Sequence, residues 1–235
     1  MPDLFRFKQF SIRQVNSAMK IGTDSVLLGS WAKIENAQTI LDIGTGTGLL
    51  ALMMAQRNHS SLIVGVEKEP LAYEEALYNI KSSKWSDRVH IKLSDIKNYL
   101  PDRKFDSIIT NPPFFNNGIK PLGKERSEAR HTGSLSFKDL MNSASHLLAP
   151  SGSLHVILPT QEFTQFMEQA LFQDFHINRQ LNVRPHDKKP EHRVLLTLTR
   201  TKKEYQIERL SLHEVGNRSY SNPYISLTKD FYLYM

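Results

Sequence analysis

Two stretches of the chain carry residue types that can do chemistry together. The first is Thr110-Asn111-Pro112-Pro113-Phe114-Phe115, directly after the apolar run Phe105-Asp106-Ser107-Ile108-Ile109. A run of that kind closed by proline reads as a buried strand that stops abruptly. Neither proline can donate to a sheet, and Pro112 drives Asn111 toward an extended backbone. The product is a stiff ledge with an amide side chain at its lip and an aromatic ring just beyond. The Asn111 amide can accept from the N–H of an amino group, and the Phe114 ring can lie against a flat base or another planar group. A rigid turn with two core phenylalanines would look the same in these residues alone.

The second stretch is Asp42-Ile43-Gly44-Thr45-Gly46-Thr47-Gly48, placed between a strand-like run and a helical one. Glycines there let the backbone turn sharply and approach a ligand closely. A dinucleotide fingerprint would want a third glycine at position 49, where this chain has Leu49. Asp42 would also repel a pyrophosphate, whereas a sulfonium and an ammonium favour a nearby carboxylate. The Gly44, Gly46, Gly48 spacing with this acid resembles the S-adenosyl-L-methionine (AdoMet) loop of class I methyltransferases. Glu67 ends the next strand-like run, where an acid commonly accepts from ribose hydroxyls, and Asp95 ends the one after. Each acid alone is commonly a helix cap or a solvated loop residue. Three at successive strand ends point to a ligand crevice.

The elements that must hold these residues follow from periodicity. Strands are expected at 39–43, 62–66, 89–93, 105–110 and 154–158, with helices at about 49–57, 70–82, 136–148 and 160–173. Pro70 suits the first turn of its helix. This alternation predicts an α/β fold, a parallel sheet with helices on both faces. Before it, residues 4–15 read as a short strand or hairpin, and Thr23 or Asp24 as the N-cap of a helix over about 24–34. After it, 175–184 and 192–201 read as an antiparallel hairpin. The tail alternates at 205–207 and 210–212 and ends in a short helix within 224–233. No repeat or long linker divides the chain, so residues 1–35 are read as an extension and 36–235 as the core of one domain.

Composition narrows the chemistry. The 235 residues include no cysteine, which removes disulfides, thiolate-held zinc and cysteine nucleophiles. Nine histidines show no ligand spacing, so no metal is expected. No apolar run approaches the ~20 residues that cross a bilayer, and no signal peptide is evident, so a cytoplasmic protein with no membrane partner is expected. The net charge of +6 is compatible with an RNA partner. The basic residues form three groups: Arg6, Lys8, Arg13 and Lys20; Lys120, Lys124, Arg126 and Arg130; and Arg184, Lys188, Lys189 and Arg193. The second lies in a glycine-flanked 116–133 loop that reads as an RNA-contacting lid, with His131 a surface residue or a substrate contact. The oligomeric state is open, a monomer being the simplest reading.

Asn111 to Phe114 resembles the Asn-Pro-Pro-Phe motif of methyltransferases acting on the amino groups of adenine, guanine or glutamine. The chain as a whole resembles the bacterial family that methylates N6 of the adenosine 3′ of the valine tRNA anticodon. That likeness rests on 18–29, the glycine loop with Leu49 to Met53, 111–115, Ala129-Arg130-His131 and 227–233. It implies a Rossmann-like class I methyltransferase fold with a mostly parallel seven-stranded sheet and a terminal antiparallel hairpin. It implies AdoMet as cofactor and tRNA, at position 37, as partner. Asn111 Oδ1 and the Pro112 carbonyl would accept from the target amine, and Phe114 would stack on the base. Asp95 would meet the adenine amino group of the cofactor, and Thr23 and Asp24 would lie near its methionine end. Methylation of adenine or guanine in rRNA, methylation of a release-factor glutamine, and a non-catalytic RNA-binding role on the same fold are the alternatives. Release-factor enzymes carry a larger helical N-terminal part, and the guanine enzymes of rRNA a second copy of the fold; neither is present here.

Overall fold

Short runs of β-branched and leucine residues closed by glycine or a charge make buried parallel strands the natural outcome, and they form one sheet. The structure, a computed structural model, describes residues 3–15, 20–113, 135–216 and 219–235. In chain order its elements are β1 (Leu4–Arg6), β2 (Ser11–Arg13), α1 (Thr23–Trp31), β3 (Thr39–Ile43), α2 (Leu49–Arg57), β4 (Leu62–Glu67), α3 (Pro70–Lys81) and β5 (Val89–Leu93). There follow β6 (Phe105–Thr110), α4 (Phe137–Leu147), β7 (Leu148–Pro159), α5 (Phe163–Phe172), β8 (His176–Arg184), β9 (Arg193–Thr199), β10 (Gln206–Ser211) and α6 (Asn222–Thr228). Strands β1 and β2 pair separately as a small antiparallel hairpin.

The main sheet runs β10-β8-β9-β7-β6-β3-β4-β5. Strands β3 to β7 are parallel, β9 is antiparallel to both β7 and β8, and β10 is parallel to β8. Among the described residues the sheet therefore has eight strands, one more than expected, because Gln206–Ser211 forms a single edge strand where the sequence showed two fragments. Several boundaries also move, among them the end of α1, at Trp31 rather than near 34, and that of β9, at Thr199. Strand β7 begins at Leu148, a 3₁₀ turn at Thr160–Glu162 precedes α5, and the last helix is Asn222–Thr228.

Alternate residues of each strand feed opposite faces. Ile40, Ile63, Ile109 and Ile157 pack under α1, α2, α3 and α6 with Leu28, Trp31, Leu52, Ile80 and Tyr224. Leu41, Ile43, Ile108, Leu154 and Val156 pack against α4 and α5 with Leu140, Met141, Phe166 and Ala170. The sheet is covered on both sides. No helix among the described residues is long and apolar enough to cross a membrane.

The two chain ends meet on the first of these faces. Phe7 bridges Tyr232, Lys8 N donates to the Phe231 carbonyl, and Gln56 Nε2 donates to the Asp230 carbonyl at 2.8 Å. Phe5, Phe7 and Phe10 join Tyr232 and Trp85 in an aromatic cluster beside the main sheet.

Candidate active site

Strands β6, β3, β4 and β5 are neighbours, and all four end at the same edge. Asn111, the glycine turn, Glu67 and Asp95 follow those ends in that spatial order, one strand spacing of roughly 4.8 Å after another. This is the carboxyl edge at which open α/β sheets bind ligands. Asn111, Gly44, Gly46, Gly48, Glu67 and Asp95 therefore lie along one edge of the sheet.

The glycine turn is left-handed three times, with φ of 68° at Gly44, 55° at Gly46 and 82° at Gly48. Side chains rarely adopt these angles, which explains the residue type. A Cβ added at Gly44 or Gly46 would meet nothing within 4 Å, so that side of the turn is open to a ligand. At Gly48 it would meet Ile80 Cδ1 at 3.4 Å, an ordinary contact with α3, so its φ of 82° is what calls for glycine.

Asp42, the fourth residue of β3, is fully buried. Its Oδ2 accepts from Thr45 Oγ1 at 2.6 Å and from Ala51 N at 3.2 Å. The N-cap of α2 is Gly48, which has no side chain to cap the helix, so Asp42 takes over a free N–H of the first turn. Its other oxygen, Oδ1, is buried with no partner. Burial pushes its pKa up to about 7 against the lowering bonds from Thr45 and Ala51, with the Glu67 charge adding to the rise. A cation brought to Oδ1 would favour the ionised form.

Glu67 ties the turn to β4. Its Oε2 accepts from Gly46 N at 2.9 Å, and its Oε1 from Lys68 N and Glu69 N, each at 2.9 Å. A carboxylate offers about four acceptor sites, so one is left for a ribose hydroxyl. Asp95 caps the 3₁₀ turn Ile96–Asn98 through Lys97 N at 2.9 Å, and its Oδ2 lies 3.6 Å from Lys97 Nζ. Its side chain keeps a third of its surface exposed and so retains acceptor capacity.

The ledge is held from two sides. Thr110, fully buried, donates through Oγ1 to the Ile43 carbonyl at 3.0 Å and locks the end of β6 to the end of β3. Asn111 Nδ2 donates to Ser25 Oγ at 2.9 Å, while Asn111 Oδ1 is buried without a partner. Pro112 is buried behind it. Phe114, the 116–133 loop and His131 lie outside the described residues.

The Ser25 contact brings the start of α1 to the ledge. Thr23 and Asp24 are not its N-cap: Gly22 holds that position and both are the first helical residues. Thr23 is exposed, and Asp24 Oδ2 accepts from Arg193 Nε at 2.8 Å. That ion pair joins α1 to the first residue of β9.

Several supporting residues were not anticipated. Buried Asn79 donates through Nδ2 to the carbonyls of Arg13 and Thr47, and its Oδ1 accepts from Arg13 N, so it clamps the glycine turn to β2. Glu75 Oε1 accepts from Val15 N, and Gln14 Oε1 from Ile21 N. A polar residue on the Ala76–Ile80 face of α3 was the available signal for Asn79. Ser25 and Thr110 gave none. No group of three or more His, Asp or Glu able to hold a metal ion occurs among the described residues.

Comparison with known proteins agrees with this geometry. The model of the methyltransferase small domain family matches residues 10–182. A tRNA1(Val) (adenine(37)-N6)-methyltransferase of Aliivibrio salmonicida is 45% identical, covering 98% of both chains. Relatives of the same name from Trichodesmium erythraeum, 43% identical over 97% of both chains, and Phocaeicola vulgatus, 42% over 98% of both, are as extensive. Among solved structures, a predicted O-methyltransferase from Agrobacterium tumefaciens superposes with a TM-score of 0.72 at 20% identity, covering 88% of this chain and 96% of that one. The P. horikoshii TYW2 structure in complex with MeSAdo gives 0.57 at 13% identity, covering 84% and 71%. These structures share the class I methyltransferase fold. By sequence, the chain belongs to the methyltransferase small domain family and, within it, to the tRNA1(Val) (adenine(37)-N6)-methyltransferases.

Proposed function

We propose that this protein methylates the exocyclic N6 amine of adenosine 37 in a valine tRNA, using AdoMet. The observation that carries the reading is Asn111. Its amide nitrogen is tied to Ser25, and its oxygen is buried, unpartnered and at the carboxyl edge of the sheet. A buried acceptor without a donor is costly to a fold, on the order of 1–3 kcal/mol. An amine in the crevice would supply the missing donor.

The fit to AdoMet rests on the open face of Gly44 and Gly46, the unpartnered Asp42 Oδ1 and the remaining acceptor capacity of Glu67 and Asp95. Asp42, Gly44, Gly46 and Gly48 would hold the amino-acid half, Glu67 the ribose and Asp95 the adenine. Bound there, AdoMet supplies a methyl group on a positively charged sulfur. The ring draws in the lone pair of an adenine amine, which makes it a poor nucleophile. Asn111 Oδ1 and the Pro112 carbonyl, each accepting one N–H, favour a pyramidal nitrogen whose lone pair is free to attack. The nitrogen would gain the methyl as the methyl–sulfur bond breaks, the bonding pair staying on sulfur as a neutral thioether, and one proton would pass from the nitrogen to solvent. Alignment and fixed dipoles do the work, with no covalent enzyme intermediate. Phe114 is assigned the stacking role, worth roughly 1–3 kcal/mol per base, which offsets the cost of extruding the base from its loop.

Offering the protein labelled AdoMet with valine tRNA, small-subunit rRNA and release factor in parallel tests the substrate. Label is expected in tRNA as N6-methyladenosine; label in rRNA or in a glutamine would replace this reading.

A further inference from the structure

Resting on the reading just given, we infer that the turn between β8 and β9 is a grip for the RNA backbone flanking the target nucleotide, with Lys188 and Lys189 as its phosphate contacts. The structure separates the three basic groups of the sequence. In the N-terminal group, Lys8 Nζ donates to the Met235 carbonyl at 3.1 Å, Lys20 Nζ to the Val15 carbonyl at 3.1 Å, and Arg13 lies over the Tyr78 ring at 5.0 Å. Those three cations are engaged in holding the chain ends and the N-terminal hairpin, while Arg6 is exposed on β1. The 116–133 group lies outside the described residues. The hairpin group is distinguished by its place in the sheet.

Sheet topology decides where that group points. Strand β8 is antiparallel to β9, which is antiparallel to β7, so β8 runs with β7 and β6. Arg184 at the end of β8 and Arg193 at the start of β9 therefore stand on the same edge as Asn111. Three strand steps of roughly 4.8 Å separate β8 from β6, about 14 Å. That is the reach of about four stacked nucleotides at roughly 3.4 Å each. A polynucleotide whose target base lies at Asn111 can therefore reach this turn.

The turn is also organised to present its lysines. Arg184 donates to Asp187 Oδ1 at 2.7 Å and to Ser211 Oγ at 2.9 Å, and Asp187 takes the Ser211 hydroxyl as well. Lys189 N donates to the His186 carbonyl at 2.9 Å. Asp187 is answered by Arg184, Glu191 lies 3.5 Å from Arg209, and Asp24 is answered by Arg193. Lys188 and Lys189 are exposed and pair with no carboxylate among the described residues. They leave this turn with two unanswered positive charges on a preorganised loop, the form a phosphate contact takes at low ordering cost.

The test uses two double charge reversals of equal net change. K188E/K189E alters the carboxyl edge. K202E/K203E alters exposed lysines in the segment between β9 and β10, at the opposite edge of the sheet. With the full chain and valine tRNA, K188E/K189E is expected to raise the KM for tRNA at least ten-fold. It should lower the log–log salt slope of binding by about 1 per lysine. AdoMet affinity, which reports folding, should stay unchanged. K202E/K203E is expected to behave as wild type. An unchanged KM and slope in K188E/K189E, or equal losses in both variants, would overturn the assignment while leaving tRNA methylation standing. A wild-type protein that methylates no tRNA would remove the proposed function and this grip with it.

Discussion

Asn111 joins two chemical states in one amide: a nitrogen with a partner and an oxygen without one. Removing the Ser25 hydroxyl frees the amide to rotate, so that it can turn its N–H₂ toward the substrate and present a donor where an acceptor is needed. A neutral hydrogen bond contributes about 1 kcal/mol net. Ser25→Ala is therefore expected to lower kcat for tRNA about five-fold while AdoMet affinity stays unchanged, and Ser25→Thr to restore most of the loss. A drop in AdoMet affinity instead would make Ser25 a cofactor residue. The Asn-Pro-Pro motif was legible in the sequence because its chemistry is local to four residues. Ser25 was not, since it lies 86 positions away and only the fold of α1 against β6 brings it to the amide. Asp42 was legible as an acid beside a glycine loop. Its burial in the central strand β3 and its bond to the first turn of α2 are consequences of three dimensions.

Among the elements, the turn between β3 and α2 is the most demanding. At Gly46 a side chain would meet no protein atom, so the penalty of alanine in the ligand-free protein is confined to a left-handed backbone, roughly 1–2 kcal/mol. The added methyl group would project into the space assigned to the cofactor. Gly46→Ala is expected to lower denaturant stability by about that amount but to weaken AdoMet binding more than ten-fold by calorimetry. Equal affinity would move the cofactor seat away from this face. The parallel strands and their helices were readable because their apolar runs are long and closed by glycine, proline or an acid. Strand β10 was not, because Glu208 and Arg209 interrupt its alternation, as charges on edge strands commonly do. The antiparallel hairpin was readable from length alone, yet its place on the active-site edge required the strand order.

For the molecule as a whole, two fully buried titratable groups act in opposite directions. Burial raises the Asp42 pKa to about 7, so the folded state holds a proton that the unfolded chain has lost; stability declines as pH rises from about 4 to about 7. His155, with Nδ1 3.0 Å from Thr197 Oγ1, is lowered to about 3 by burial and by the charges of Arg57 and Arg179. The unfolded chain binds that proton first, so stability declines as pH falls from about 6.5 toward about 3. The two slopes oppose each other across the window they share. Relative to wild type, Asp42→Asn should gain stability as pH rises from about 4 to about 7, and His155→Gln as pH falls from about 6.5 to about 4. Urea titrations across pH measure both differences, and flat differences would contradict the burial argument. The measurement that bears most directly on the central claim is mass-spectrometric mapping of valine tRNA treated with AdoMet and either wild-type protein or Asn111→Ala. The account predicts one methyl group, on N6 of adenosine 37, with the wild type and none with Asn111→Ala, although that variant still binds AdoMet. A methyl group on any other atom, or near-normal modification by Asn111→Ala, would contradict it.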